Sequence, residues 1–274
     1  MTDKEQLKQL RRKIFCMAYK GGSGHLASAF SVIEILYVLY CKGILKYQPA
    51  NPLWEGRDRM IMSKGQGCLA LYAVLSKVGF FPEKELDTFC RPGSSLGGEP
   101  KLGDIPGVEA STGSLGHGLS FAQGIAMAYK AMGKENHVYV VIGDGECQEG
   151  SIWEAVMSAN HFCLDNLTVI MDNNKLQAMG KVSELMSIDN WKEKWVSFGW
   201  DVRMVNGHDV EALENCLRQE HKAGHPQLVI ANTIKGKGVS FMENVPIWHY
   251  RMPNEKELKA VIEELDIKKE ELEI

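Results

Sequence analysis

Two apolar runs stop abruptly at small, oxygen-bearing residues, and those stops constrain the fold more than any other feature of the chain. The first, Val138-Tyr139-Val140-Val141-Ile142, ends at Gly143-Asp144-Gly145. The second, Leu167-Thr168-Val169-Ile170-Met171, ends at Asp172-Asn173-Asn174. Neither run alternates apolar with polar residues, so each reads as a strand covered on both faces, the pattern of a parallel sheet. Open α/β sheets gather ligands at the carboxyl ends of their strands. Asp144 offers a carboxylate there, Asn174 an amide oxygen, and the following turn a backbone carbonyl, assigned to Leu176. Hard oxygen donors, few of them from protein, suit Mg²⁺ or Ca²⁺ bound to a diphosphate.

The residues after Asp144 favour an anion. Gly145 lets the backbone approach closely. Ser151 and Glu154 have the spacing of a capping box, and Ile152, Ala155, Val156 and Ala159 recur at helical intervals. A helix starting just past the turn presents free N–H groups to a phosphate. Seen alone, Gly-Asp-Gly is also an ordinary β-turn and Asn-Asn an ordinary loop. The succession strand, helix, strand around them favours the metal reading.

The rest of the chain continues the alternation. Helices are expected over about 4–20, 28–41, 69–77 and 117–132, with Gly133 ending the last. A short strand runs from Arg59 to Ser63. Residues 90–113, with three prolines and many glycines, read as a long functional loop. A helix capped by Asp189 stops at Gly199, and a strand follows from Val202 to Val205. Asp209 caps a helix expected to end near Gly224; Gln227–Thr233 is a strand and Glu255–Leu265 a terminal helix. This is an α/β fold, a parallel sheet with helices on both faces, read as one domain over 1–274.

Composition excludes several classes. The chain has 274 residues, 45% hydrophobic and 24% charged, and a net charge of −4. No basic field is present for nucleic acid. No apolar stretch is long enough for a membrane span, and the first residues do not resemble a signal peptide. The seven cysteines lack paired spacing and read as reduced thiols of a cytoplasmic protein. Cys147, beside the metal turn, is either a redox-sensitive thiol or a small packed residue.

The spacing of Gly143-Asp144-Gly145 and Asn173-Asn174 resembles the thiamin diphosphate fingerprint. Further motifs narrow the resemblance to one family. Ser23-Gly24-His25, Arg57-Asp58-Arg59, the run from Gly107 to Gly116, the run from Gly143 to Gly150 with Trp153-Glu154-Ala155, Lys235-Gly236-Lys237-Gly238 and Trp248-His249 are similar, in order, to the N-terminal half of transketolase. The resemblance implies a thiamin diphosphate-binding fold of the diphosphate-holding type. It also implies transfer of a two-carbon ketol unit from a ketose to an aldose, the cofactor supplying the chemistry and the protein its orientation.

The roles carry over position by position. His25 and His249 match histidines near the reacting centre, suited to proton transfer or oxyanion stabilisation. The resemblance places Gln66, Gly113, Leu115, Gly143, Gly145, Asn174 and His249 against the cofactor. Glu149 looks like a supporting group near the metal turn. In transketolases a pyrimidine-binding domain, with the glutamate that activates the cofactor, lies in the second half of the polypeptide. Only about twenty-five residues follow His249 here. The expected partner is therefore a C-terminal transketolase subunit, in an assembly of two copies of each.

Departures concern the substrate. Gln66 stands where a histidine is usual and cannot carry a proton. Glu99, in Gly98-Glu99-Pro100, replaces a histidine that meets the donor's terminal hydroxyl; it either lines the donor site or faces solvent. Ala178-Met179 replace Ile-Asp and remove bulk. These changes point to a relative with another donor or acceptor among small sugars or sugar phosphates. The alternatives are a decarboxylating enzyme like deoxyxylulose-phosphate synthase and a non-catalytic regulatory relative.

Overall fold

The computed structural model describes residues 1–188 and 190–273. Five parallel strands form its centre: β1 (Arg59–Met62), β2 (Val138–Gly143), β3 (Leu167–Asn173), β4 (Asp201–Asn206) and β5 (Gln227–Asn232). Their spatial order is β1-β2-β3-β5-β4. In register, Gly143 lies beside Asp172 and Asn173 beside Asn232. Because every strand runs the same way, the turns after β1, β2, β3 and β5 open on one edge of the sheet.

The unbroken apolar runs are buried on both faces, as their pattern requires. Val138, Val140 and Ile142 of β2, Val169 and Met171 of β3, and Leu228 and Ile230 of β5 join one core. Their neighbours Tyr139, Val141, Ile170, Val229 and Ala231 join the other. The period of two along a strand divides them. Helices α4 (His117–Ala131), α5 (Gly150–His161) and α7 (Trp191–Ser197) cover the first face. Helices α1 (Asp3–Gly21), α2 (Leu26–Cys41), α3 (Cys68–Lys77), α8 (Val210–Arg218) and α9 (Glu255–Leu265) cover the second. A one-turn helix, α6 (Val182–Leu185), was not expected.

α1 begins in a capping box, Thr2 with Glu5, and ends at Gly22 in the left-handed region. α2 is buried from Leu26 to Tyr40, so it has no polar face. Its Glu34 survives there because Arg11 pairs with it at 2.5 Å and His208 bonds it at 3.1 Å. Burial pushes the Glu34 carboxyl up, but these partners outweigh it and hold it low. The motif residues Arg57 and Arg59 both pair with Glu109, tying the long 90–113 loop to β1. That loop contains no helix or strand.

Two cap assignments fail. α5 starts at Gly150, and Ser151 does not cap it. The Ser151 hydroxyl donates to the Gly116 carbonyl at 3.0 Å, at the left-handed turn that opens α4. α8 ends at Arg218 rather than near Gly224, because the Arg203 guanidinium takes the carbonyls of Cys216, Gln219 and Glu220. Asp209 does cap α8, through Ala212 N–H. Asp189, expected to cap α7, lies outside the described residues.

His137, just before β2, is a buried base held neutral. Its Nε2 meets Thr168 Oγ1 at 2.8 Å, and its ring faces Tyr139 and His221. Burial, helped by His221, pushes its pKa down to about 3. The unfolded chain therefore binds a proton below about pH 6.5 that the native state refuses, and stability falls as pH drops through that range. Asp144 and Glu99, raised to about 6 and about 7, act with the opposite sign in the same window. Comparison with a variant isolates the histidine. Urea titrations at pH 7.5 and 5 should show His137→Gln reducing the acid loss by on the order of 1–2 kcal/mol. An identical loss in both proteins would show that His137 does not set it.

Candidate cofactor site

The turns after β1, β2, β3 and β5 converge on a cavity of about 180 Å³. Its walls include Gln66, Leu115, Gly143, Asp144, Gly145, Asn174, Leu176, Ala178 and His249. Residues distant in sequence and expected at one site thus meet there. Ser28, Lys64, Glu146, Gln177 and Lys235 also line it; none had been given a role, although Glu146 and Lys235 lie in the family-like motifs.

Beneath the cavity lies Asp172, fully buried at the end of β3. Its Oδ2 accepts from Ser31 Oγ at 2.7 Å, Asn174 Nδ2 at 2.8 Å and Lys64 Nζ. Its Oδ1 accepts from Thr233 Oγ1. Burial pushes the Asp172 carboxyl up, but Lys64 and the hydroxyls outweigh it, so it stays ionised. The bond to Asp172 orients Asn174, whose Nδ2 is used below and whose Oδ1 faces the turn, accepting from Leu176 N–H at 3.0 Å.

Asp144 follows β2 with its carboxylate enclosed. It accepts from Gly145 N–H at 2.8 Å and Lys175 N–H at 2.5 Å. Burial and the charge of Asp172 push its pKa up to about 6. Glu146 braces the same turn from below. It accepts from Gly143 N–H, Gly116 N–H and Ser63 Oγ, joining β2 to the start of α4. Glu149, expected in that supporting role, is exposed and precedes α5 without lining the cavity. The two carboxylates follow the same turn, and the 3-10 turn at Gly145–Gln148 carries Glu146 inward. Cys147 is completely buried, and burial with Glu146 and Asp144 pushes its thiol well up. It is a packed residue.

Lys235 supplies a second ammonium. It is buried, and among the described residues no carboxylate forms an ion pair with it. Its Nζ contacts Leu176 O at 3.1 Å and His249 Nδ1 at 2.8 Å. Burial and the nearby Lys64 lower its pKa to about 8. A protonated Lys235 donating to Nδ1 leaves the His249 proton on Nε2. Burial and Lys235 push His249 down to about 3 and His25 to about 4, so both are neutral near pH 7. Their rings meet edge to face, with centroids 5.2 Å apart, and Tyr250 covers His25. His25 therefore stands behind His249 and not in the cavity wall.

Glu99 and Gly113 are also set back. A Cβ on Gly65 would fall 2.1 Å from Glu99 Oε2, and one on Gly113 would fall 3.0 Å from its Cγ. The Glu99 side chain thus turns inward behind two glycines, with Oε2 unpartnered. Burial pushes its pKa up to about 7. His117, without an expected role, is exposed at the start of α4.

These residues fit a diphosphate with a divalent cation. Gly143 leaves the floor open, Gly145 is covered only by the Gln177 side chain, Lys235 brings a cation lacking an ion-pair partner among the described residues, and Asp144 stands beside neutral oxygens of Asn174 and Leu176. A larger groove, about 400 Å³, lies between α1 and the 83–88 turn. Its Lys13 and Lys20 are already paired with Glu83 and Asp87, and it is lined by none of the strand-end turns.

Comparison with known proteins gives the family. Residues 2–274 match the family described as transketolase, thiamine diphosphate binding domain. An apulose-4-phosphate transketolase subunit of Phocaeicola vulgatus is 39% identical, over 98% of this chain and 95% of that protein. The 6-deoxy-6-sulfo-D-fructose transketolase subunit SqwG of a Clostridium species is 40% identical, over 90% of each. The solved transketolase of Campylobacter jejuni superposes with a TM-score of 0.89 at 32% identity, covering 97% of this chain but 43% of the other. That of Leishmania mexicana gives 0.87 at 29%, covering 95% and 41%. The chain thus spans about two-fifths of those solved transketolases and nearly all of the two bacterial subunits. It belongs to the transketolase family, corresponding to the N-terminal, thiamin diphosphate-binding part, with a thiamin diphosphate-dependent, transketolase-type function.

Proposed function

We propose that the chain is the diphosphate-binding subunit of a two-subunit cytoplasmic enzyme that moves a two-carbon ketol unit from a ketose or ketose phosphate to an aldose. The observation that carries this reading is the convergence of four strand-end turns on one cavity with a glycine-bearing turn, an enclosed aspartate and a buried ammonium that has no ion-pair partner among the described residues. When bound, thiamin diphosphate supplies the nucleophilic carbon and electron sink for cleaving a ketose carbon–carbon bond. Asp144, the Asn174 amide oxygen and the Leu176 carbonyl hold Mg²⁺ or Ca²⁺. Gln66, Lys235 and His249 hold the diphosphate where the Gly143–Gly145 turn lets the backbone come close, and Leu115 shapes the wall against its rings, with Gly113 set back from it. Neutral His249, with its proton on Nε2, and neutral His25 behind it hold and move protons at the reacting centre.

The partner is a C-terminal transketolase subunit that brings the pyrimidine-binding domain and the activating glutamate. The names of the two bacterial relatives, which call them subunits, support this, and two copies of each chain close the assembly symmetrically. The intact network around Asp144, Asp172 and Lys235 favours a working enzyme over a regulatory relative. Gln66, the inward-turned Glu99 and the short Ala178 set the donor. Glu99 accepts from a donor hydroxyl when ionised, and Ala178 leaves room beside it.

Three measurements test this reading. Calorimetry with Mg²⁺ and thiamin diphosphate on the assembled enzyme should show Asp144→Ala weakening cofactor binding on the order of 100-fold or more; undiminished affinity would remove Asp144 from the metal site. The combined Gln66→His, Glu99→His, Ala178→Ile variant should raise kcat/KM on xylulose 5-phosphate relative to the native donor by about tenfold or more. An unchanged ratio in a folded protein would mean that these positions do not choose the donor. The purified chain alone should transfer no ketol unit, and cofactor affinity should rise sharply when the partner is added. Robust turnover by the chain alone would refute the two-subunit reading.

A further inference from the structure

Gln177 holds a donor with nothing to donate to. It sits on the tight turn that joins Leu176 to Lys181, and its own N–H donates to the Gly180 carbonyl at 2.8 Å. Val182 N–H closes the same turn onto the Lys175 carbonyl at 3.0 Å. The backbone is pinned on both sides, so the direction of the side chain is set by the turn. The side chain lies flat over Gly145 in the cavity wall. A Cβ on Gly145 would meet Gln177 Cγ at 2.8 Å, Cδ at 3.0 Å and Nε2 at 3.2 Å. Nε2 is shut from solvent and has no hydrogen-bond partner among the described residues.

Buried amide donors are rarely left unpaired, because their desolvation is then uncompensated. The nearby acceptors already have donors. The Asp144 oxygens take Gly145 N–H and Lys175 N–H, Asn174 Oδ1 takes Leu176 N–H, and the Leu176 carbonyl takes Lys235. With the Asp144 carboxylate on the same turn, an inward NH₂ is also electrostatically better than an inward carbonyl oxygen. Nε2 meets none of them, and its side chain faces the cavity, so the acceptor it lacks is expected from what fills that cavity.

We propose that Gln177 Nε2 donates a hydrogen bond to a diphosphate oxygen of the bound cofactor, so that the 174–181 turn holds the anion from the side of the cavity wall. Gln177 is then a binding residue for the diphosphate, alongside the charge of Lys235. Its amide adds a directed donor on the side where the negative Asp144 excludes any unneutralised anion. The inference rests on the thiamin diphosphate reading of the cavity.

The test uses the assembled two-subunit enzyme and calorimetric titration with thiamin diphosphate and, separately, with inorganic pyrophosphate, both in Mg²⁺. Gln177→Leu should raise Kd for both ligands about tenfold, as loss of one hydrogen bond to a charged group would. Gln177→Glu, nearly isosteric, should raise both further by placing a negative charge against the phosphates. Unchanged Kd values in both variants, with Asp144→Ala still abolishing binding, would overturn the role of Gln177 and leave the cofactor reading intact. Weaker thiamin diphosphate binding with unaltered pyrophosphate binding would equally overturn it, since the contact would then not be to the diphosphate. Failure of the unaltered enzyme to bind either ligand would overturn both readings.

Discussion

The buried carboxylate of Asp172 is the constraint on which the site depends. It is completely enclosed, and its ammonium partner Lys64 is nearly so, with a side chain 7% exposed. An isolated charge there would be untenable, and breaking such a pair from one side costs about 3–5 kcal/mol. The charge is held by groups from four places: Lys64 after β1, Ser31 on α2, Asn174 after β3 and Thr233 after β5. Satisfying one carboxylate therefore fixes three strand-end turns and a helix relative to one another. Asn174 links this anchor to the turn above it, because its amide nitrogen is spent on Asp172 while its oxygen accepts from Leu176 N–H.

Charge is arranged in layers above that anchor. Asp172 and Lys64 neutralise each other. Asp144 and Lys235 sit closer to the cavity, without charged partners at ion-pair distance among the described residues, and both have pKa values moved toward neutrality by burial. A site in this condition gains when a divalent cation meets the carboxylate and a polyanion meets the ammonium, since each ligand supplies the charge that the protein withholds. Burial, helped by the same ammonium groups, keeps His25 and His249 neutral. Lys235 thus performs two tasks, attracting an anion and holding His249 in one tautomer.

The positions where the chain departs from the usual transketolase pattern are the ones proposed above to set the donor. Gln66 and Ala178 line it, and Glu99 stands behind Gly65 and Gly113. The anchor, the metal turn and the lysines are unaffected by these differences. The division has a physical basis: the diphosphate end demands charge compensation and close backbone approach, whereas the donor end demands shape and hydrogen-bond polarity, which single side chains can alter. Two relatives of nearly the same extent are named for different ketoses, apulose 4-phosphate in one and 6-deoxy-6-sulfo-D-fructose in the other.

Much of this was legible in the linear chain. Apolar runs without alternation implied strands covered on both faces, and their abrupt ends at Asp144 and Asn174 marked the ligand edge. Both readings rest on local pattern, because a parallel strand must be apolar on both sides and must deliver its end residues to a common edge. Asp172 was hidden for the opposite reason: it looked like the polar stop of a strand, and only the neighbouring turns reveal four donors around it. Glu149 and Glu146 could not be separated by spacing, since a single 3-10 turn decides which carboxylate points inward. Ser151 had the spacing of a cap but was drawn to the Gly116 carbonyl across 35 residues of chain. Sequence alone determined the alternating architecture, the motif-bearing turns and the family they resemble. Tertiary structure decided which buried charges are paired, which are left for a ligand, and that Gln177 faces inward, because those outcomes depend on distances between segments that no local pattern encodes.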